Sequence, residues 1–445
     1  MKCCVLGLGY IGLPTAALLA ARGHDVLGVD VDPQRLDLMV QGVLRESGLM
    51  ELIEVGVLSG RLRTGTTVHE ADTFVICVPT PHVAGRQDLT LADVLAAIES
   101  IAPHLRKGNL VVLESTVPPG TTDDVIRPCL DRLSGLSCGS DYFLAYCPER
   151  VLPGNLVHEL AHNARIVGGV DDESGRRAAA LFRTIVSGEV LVTGSRTAEM
   201  SKLMENTYAA VNIALANELA WLAEYAGIDV REAIALANRH PRVNLMNPGP
   251  GVGGHCIPVD PWFLVDGTPA SACLISQALR TNDGMPGRVA SAIGDALARI
   301  GKPISGARVV LMGVAYKGGV DDVRESPALG VATWLWESGA DVIFQDPIAT
   351  GFPHPVEPDL LAAVSGADAL AVIADHPQYL GLELLLPRLR RLMRPNPLFV
   401  DTRGVVKSAE GFLFWRLGCG FAKDGNVVLN RPAQPVVSEE LRKTS

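Results

Sequence analysis

The first thirty residues leave the chain few choices of fold. "KCCVLGLGYIG" (2–12) is a short apolar strand that runs into Gly7-x-Gly9-x-x-Gly12. "LPTAALLAARG" (13–23) reads as a helix, and "HDVLGVD" (24–30) as a second strand ending on Asp30. Glycines at this spacing let the backbone turn tightly and approach a pyrophosphate, which then rests on the helix N-terminus. Tyr10 and Ile11 lie inside the same turn. Asp30 is placed to accept hydrogen bonds from a ribose 2′-hydroxyl and would repel a 2′-phosphate, so NAD is favoured over NADP. The uncharged run after Lys2 also resembles a signal peptide or a membrane span. Gly7, Gly9, Gly12 and Pro14 interrupt it, and the polar "RGHD" follows, so a cytoplasmic protein that does not enter the membrane is expected.

The same pattern returns later. "RVVLMGVAY" (308–316), "SPALGVATWLWESG" (326–339) and "ADVIFQD" (340–346) read as strand, helix and strand. "GADVIFQD" (339–346) matches "GHDVLGVD" (23–30) at Gly, Asp, Val and the final Asp, and "ADALAVIADHPQ" (367–378) echoes "ADTFVICVPTP" (71–81). The second copy lacks Gly-x-Gly-x-x-Gly, so its ligand is not expected to be a dinucleotide. Between the copies the pattern is helical: a long Ala/Leu-rich helix over 197–226 stopped by Gly227, then another from Asp229. The 445 residues suit about three units of roughly 150 residues each. The expected architecture is α/β, with two Rossmann-like doubly wound domains joined by an α-helical middle domain. The expected boundaries are 1–196, 197–300 and 301–420, with a loosely ordered polar tail over 421–445.

A net charge of −10 argues against nucleic acid or an anionic membrane as partner. The nine cysteines are scattered, without metal-ligand spacing, and Cys3, Cys4 and Cys77 sit in apolar runs as small buried hydrophobes of a reduced compartment. "HELAH" (158–162) matches the zinc-peptidase pattern, but no third ligand follows at a familiar spacing, and no metal is expected.

Cys256 differs from the other cysteines. "GPGVGGHCIPVDPW" (249–262) is too rich in glycine and proline for a helix or a regular strand, and it presents Cys256 next to His255 with Asp260 just beyond. A thiolate beside a nicotinamide can add to an aldehyde, and the adduct can then be oxidised to a thioester and hydrolysed. Thr80, Ser115, Thr116 and Glu149 follow strand candidates, at the ends that face the ligand crevice of an open parallel sheet. Lys202 and Asn206 share one face of the long helix, where so much of the surface is apolar that a buried Lys and Asn need a polar purpose.

With "GLGYIGLPTA", "VPTP", "STVPPGTT", "CPERVLPG", "HPRVNLMNPGPGVGGHCIPVDPW" and "GVAYKGGVDDVRESPA" in view, the chain resembles the UDP-glucose/UDP-N-acetylmannosamine dehydrogenase family over nearly its whole length, the tail excepted. "ERVLPG" is similar to the N-acetylhexosamine branch. The resemblance implies NAD-dependent four-electron oxidation of the C6 alcohol of a UDP-sugar, with Cys256 as nucleophile. It implies proton transfer or oxyanion stabilisation by Lys202 with Asn206 beside it; such donors are worth about 3–4 kcal/mol each. Asp260 would act through water, and Glu149 and Thr116 would position water near the thioester. Gly7, Gly9, Tyr10, Ile11, Gly12, Asp30, Arg35, Thr80, Thr116 and Arg324 would hold NAD. Arg150, Val151, Lys202, Asn206, His240, Arg242, Gly251, Tyr316 and Lys317 would hold the UDP-sugar, Arg242 reaching across a homodimer, or larger homo-oligomer, built on the long helix. Ala209-Ala210 stands where the N-acetylmannosamine branch often has Arg-Asp, and "GVLRESGLMEL" (42–52) is shorter than the family's usual segment. The alternatives are a UDP-N-acetylglucosamine or UDP-glucose dehydrogenase, a two-electron hydroxyacid dehydrogenase, and a non-catalytic nucleotide-sugar-binding protein.

Overall fold

The computed structural model describes residues 1–33, 48–81, 90–151, 154–267, 271–423 and 426–427. The chain divides into two bodies, one of Met1–Asn206 with Val259–Ser271, the other of Thr207–Pro258 with Ala272–Ser445. Each is built on an eight-stranded sheet.

The first sheet contains β1 (Lys2–Leu6), β2 (Asp25–Val29), β3 (Leu62–Gly65), β4 (Thr73–Ile76), β5 (Leu110–Leu113), β6 (Phe143–Tyr146), β7 (Arg165–Gly169) and β8 (Val190–Gly194), in the order β3-β2-β1-β4-β5-β6-β7-β8. Its first six strands follow the doubly wound order, which reverses direction between β1 and β4. Alternation along each strand feeds two cores. Cys3 and Val5 pack on one side with Leu13, Ala16 and Ala20, while Cys4 and Leu6 pack on the other with Phe74, Ile76 and Ile98. Burial pushes the thiols of Cys3 and Cys4 up to about 12 and about 11, as inert core cysteines require. The sheet is not wholly parallel, because β7 runs antiparallel to β6.

The second sheet contains β9 (Arg308–Met312), β10 (Asp341–Gln345), β11 (Val356–Glu357), β12 (Ala369–Val372), β13 (Leu398–Asp401), β14 (Leu413–Arg416), β15 (Gly420–Lys423) and β16 (Asn426–Val427), in the order β11-β10-β9-β12-β13-β14-β15-β16. The doubly wound pattern is repeated, with β15 and β16 added antiparallel at the edge. The tail expected to be loose from residue 421 therefore begins as strand.

The long helix spans Ser195–Ala226 and stops at Gly227, whose φ of +71° is left-handed. The next helix, Val230–Ala237, starts where the Asp229 side chain accepts the Arg231 N–H. Among the described residues no helix is long and apolar enough to cross a membrane.

Candidate active site

In the first body the glycine turn is fixed by contacts only glycine permits. Gly7 has φ +86°, and a Cβ there would lie 2.8 Å from the Cys77 carbonyl oxygen; a Cβ on Gly12 would lie 1.8 Å from that of Gly7. The helix Gly12–Ala21 that follows has no side-chain cap at Ile11, which suits its N-terminus to an anion. Asp30 is buried at the end of β2, and its carboxylate accepts the N–H of Leu8 at 2.8 Å and of Asp32 at 3.0 Å. The acid expected to read the ribose thus also ties down the glycine turn. Tyr10 and Ile11 are half-buried against the core beside it. Arg35 lies outside the described residues.

The strand ends converge as the parallel order requires. Thr80, after β4, donates its hydroxyl to the Thr116 carbonyl at 2.8 Å, and Ser115 donates to the Val78 carbonyl at 2.7 Å. Glu199, fully buried on the long helix, holds the loop after β5 by accepting the N–H of Gly120 and Thr122 and the Thr122 hydroxyl.

Lys202 and Asn206 line a cavity of about 380 Å³ together with Arg150, Val151, Asn163, Ala164 and Glu205. Asn206 donates Nδ2 to the Asp260 carboxylate. Asp260 is buried, and burial pushes its carboxyl up to about 6, against the pull of Lys202 and of the Asn206 N–H. Burial also raises the Glu149 carboxyl, again opposed by Lys202 and by the Val151 N–H that Glu149 accepts. Lys202 is buried among these acids. Arg150 is locked by Glu205, at 2.7 Å, and by the Ala164 carbonyl. Asp260 itself opens the helix Asp260–Gly267, so the Gly/Pro stretch expected to be irregular throughout turns helical at its end.

Two residues behind this site carry no signal in the sequence. Arg165 and Glu114, both buried, pair at 3.4 Å between β7 and the end of β5. Glu114 also accepts from the Thr15 hydroxyl and the Cys77 thiol. Burial opposes the charge on Arg165, but Cys147, Glu114 and Glu149 outweigh it and raise its proton affinity.

In the second body the loop bearing Cys256 is clamped at several points. Gly249 donates to the Asn217 side-chain oxygen at 3.0 Å, and Asn217 in turn donates to Asn282 at 3.0 Å. Gly251 has φ +146° against Pro286 and Pro327; Gly254 donates to the Arg324 carbonyl at 2.9 Å and lies against the Tyr316 ring. Half-buried Cys256 has its Sγ 3.7 Å from His255 Nε2. Arg324 is paired with Asp322, which with Cys256 and Tyr316 raises its proton affinity. Lys317 Nζ lies 5.8 Å from the Tyr316 ring centre. His240 and Arg242 are on the exposed segment after the helix Val230–Ala237, where the His240 ring accepts the Arg242 N–H. The "HELAH" residues form the short helix Leu156–His162, in which the two imidazoles stack at 4.2 Å.

Comparison with known proteins adds the chemistry. Residues 1–186, 196–284 and 310–408 match the NAD binding, central and UDP binding domains of the UDP-glucose/GDP-mannose dehydrogenase family. The chain is 44% identical over 428 residues to a UDP-N-acetyl-D-mannosamine dehydrogenase of Methanocaldococcus jannaschii, covering 94% of this chain and 97% of that one. It is 44% identical over 394 residues to one of Salmonella typhi, covering 84% and 93%. The solved structure of a UDP-D-ManNAc dehydrogenase from Pyrococcus horikoshii superposes with a TM-score of 0.89 at 39% identity, covering 94% of this chain and all of that one. The uncapped helix, the glycine turn and Asp30 fit the cofactor that the matching NAD binding domain names. The chain belongs to the UDP-glucose/GDP-mannose dehydrogenase family and is an NAD-dependent oxidoreductase acting on a UDP-sugar.

Proposed function

We propose that the protein oxidises the C6 alcohol of a UDP-N-acetylhexosamine, UDP-N-acetylmannosamine before others, to the uronate. The reaction converts the alcohol, water and two NAD⁺ into carboxylate, two NADH and three protons. The relatives named above support the sugar. The observation that carries the chemistry is Asp260, buried beside Lys202 and hydrogen-bonded by Asn206. A carboxyl raised to about 6 is a stronger base than an ordinary carboxylate and is still ionised at neutral pH.

NAD⁺ supplies the hydride acceptor when bound, one molecule for each oxidation, and Gly7, Gly9, Tyr10, Ile11, Gly12, Asp30, Thr80, Thr116 and Arg324 would hold each in turn. In the first oxidation Asp260, through water, takes the hydroxyl proton while the Lys202 ammonium and Asn206 amide stabilise the alkoxide. The Cys256 thiolate then adds to the aldehyde carbon, and Lys202 again faces the oxyanion. Oxidation of this thiohemiacetal leaves a thioester on Cys256. Glu149, with Thr116, positions the water that attacks it, Asp260, having passed its first proton through water to solvent, accepts that water's proton, and the C–S bond breaks to return the thiolate. Arg150, Val151, His240, Arg242, Gly251, Tyr316 and Lys317 hold the UDP-sugar. The active form is a homodimer or higher homo-oligomer, supported by Met204, Tyr208, Leu215, Leu222 and Tyr225 exposed along the long helix. The deciding measurement is NADH released per sugar with UDP-N-acetylmannosamine, UDP-N-acetylglucosamine and UDP-glucose. Two NADH and a uronate from the first, with poorer turnover of the others, are expected; one NADH and a free aldehyde would contradict the four-electron reading.

A further inference from the structure

The two bodies use the same device at the end of their opening strands. In the first, Gly7 (φ +86°) donates to the Val29 carbonyl at 2.8 Å, and Asp30 accepts the Leu8 N–H at 2.8 Å. In the second, Gly313 (φ +83°) donates to the Gln345 carbonyl at 2.7 Å, and Asp346 accepts the Val314 N–H at 2.7 Å. Asp346 goes further. Its Oδ2 also takes the Ala315 N–H at 3.2 Å and His376 Nε2 at 2.9 Å, while Oδ1 takes the N–H of Ile348 and Ala349 at 2.9 and 2.8 Å. Five donors thus converge on one carboxylate with no side-chain exposure.

The His376 imidazole carries the argument. The His376 side chain is also fully buried, and its Nδ1 lies 3.2 Å from the Gly319 nitrogen. A backbone N–H can only donate, so Nδ1 must present its lone pair; the ring proton is then on Nε2 and is given to Asp346. The imidazole is neutral and in one tautomer. It also spans a loop: Asp346 holds the start, at Val314 and Ala315, and His376 holds the end, at Gly319. Tyr316, Lys317 and Gly318 lie between. Gly318 sits so close beneath His376 that a Cβ there would be 2.1 Å from the Asp375 carbonyl oxygen. Tyr379 packs edge-on to the imidazole, with ring centres 5.5 Å apart, and donates to Gln345 at 2.9 Å, so the ring has a backing of its own.

We propose that His376, neutral and protonated on Nε2, is the positioning residue that sets the Tyr316–Lys317 segment for the UDP portion of the substrate. The inference rests on the reading that this segment holds the UDP-sugar. Loss of the Gly319 anchor should weaken UDP binding by about tenfold, the equivalent of one hydrogen bond. NAD⁺ affinity should not move.

The test has two arms on the full-length protein. In the first, nitrogen NMR of histidine-labelled protein, assigned with His376→Gln, should show His376 protonated on Nε2 alone; a proton on Nδ1 overturns the proposal without any assay of function. In the second, UDP and NAD⁺ are titrated calorimetrically into wild type, His376→Ala, His376→Asn and His376→Gln. The Ala variant should lose UDP affinity only. The Asn variant, whose Oδ1 can accept from Gly319, should recover it, and the Gln variant, which reaches only Asp346, should not. Unchanged UDP affinity in His376→Ala, or an equal loss of NAD⁺ affinity, overturns the positioning role. If wild type fails to bind UDP, the substrate reading has failed instead, and the tautomer still decides the structural claim.

Discussion

Asn206 donates its Nδ2 to Oδ2 of Asp260 at 2.5 Å, joining the long helix to the first turn of the helix that follows the Cys256 loop. A hydrogen bond to the ionised form of a buried acid holds its proton affinity down; burial here wins, leaving Asp260 at about 6. Below that pH Asp260 takes up a proton and can no longer act as the base proposed above. The rate should therefore fall on the acid side through pH 6. In Asn206→Ala the donor is gone, so this limb should move to higher pH as well as lower in height. A pH–rate profile of both proteins measures it, and an unmoved limb would separate Asp260 from the titration.

Asp260 should also cost the fold stability. Its folded value is raised above the ordinary 3.8, so its contribution is fully present below about 3.8 and is lost as pH rises through about 6. Asp260→Asn removes that charge, and the variant should be more stable than wild type at pH 7.5, by something on the order of 2 kcal/mol, while turnover collapses. Thermal melts at pH 5 and pH 7.5 check the sign, because the gain should shrink at the lower pH.

Asp30 ties down the glycine turn and is proposed to read the ribose as well, and its substitutions should separate the two tasks. Asp30→Ala should narrow the preference for NAD⁺ over NADP⁺, since the repelling carboxylate is gone. It should also weaken both cofactors, because the Leu8 and Asp32 N–H groups lose their acceptor. Asp30→Asn keeps an acceptor oxygen and should lose less affinity for the same change in preference. The ratio of kcat/KM for the two cofactors is the measurement, and a wild type that uses both equally would refute the reading of this strand end.

What could be read from the sequence was local or repeated. The glycine turn and Asp30 are within one strand–helix–strand unit, and 339–346 repeats 23–30, so both sheets could be anticipated from their first strands. Lys202 and Asn206 share a helix face, and Asp260 was visible by its motif. β8 was hard to read, because its apolar run is only Val190–Val192 ahead of Thr193 and Gly194, and the strand is half-exposed. β7 contains two glycines and reverses direction, against the parallel pattern around it. The supports of the site were hidden for a different reason. Glu114 meets Arg165 across 51 positions, Glu199 meets Thr122 across 77, and Asn217 meets Asn282 across 65. Each is an ordinary residue type whose purpose appears only with its partner, and sequence spacing records nothing of such pairs.

The Glu114–Arg165 pair should be costly to break on one side. Glu114→Ala strands a buried guanidinium beneath Cys147 and Glu149, and a loss of about 3–5 kcal/mol is expected. Replacing both, as Glu114→Leu with Arg165→Met, removes charge and partner together and should cost much less. Denaturant melts of the three proteins give the coupling directly. Additive losses would mean that the two side chains do not act as a pair.

In the proposed mechanism Cys256 is the nucleophile. Its loop is held at Gly249 by Asn217 and at Gly254 by the Arg324 carbonyl, so rigid backbone is committed to one side chain. Such positioning matters most for a nucleophile, where a shift of about 1 Å can cost around a hundredfold in rate. The first oxidation, alcohol to aldehyde, does not need the thiol. The second needs a tetrahedral adduct, which on the proposed reading the thiolate supplies. Cys256→Ala should therefore make no uronate while still binding UDP and NAD⁺, and any NADH should stop at one equivalent or less. Cys256→Ser should form an oxygen ester that hydrolyses slowly enough for mass spectrometry to find the sugar on residue 256. Uronate formation by Cys256→Ala at near the wild-type rate would reduce the loop to a glycine-rich wall of the sugar pocket.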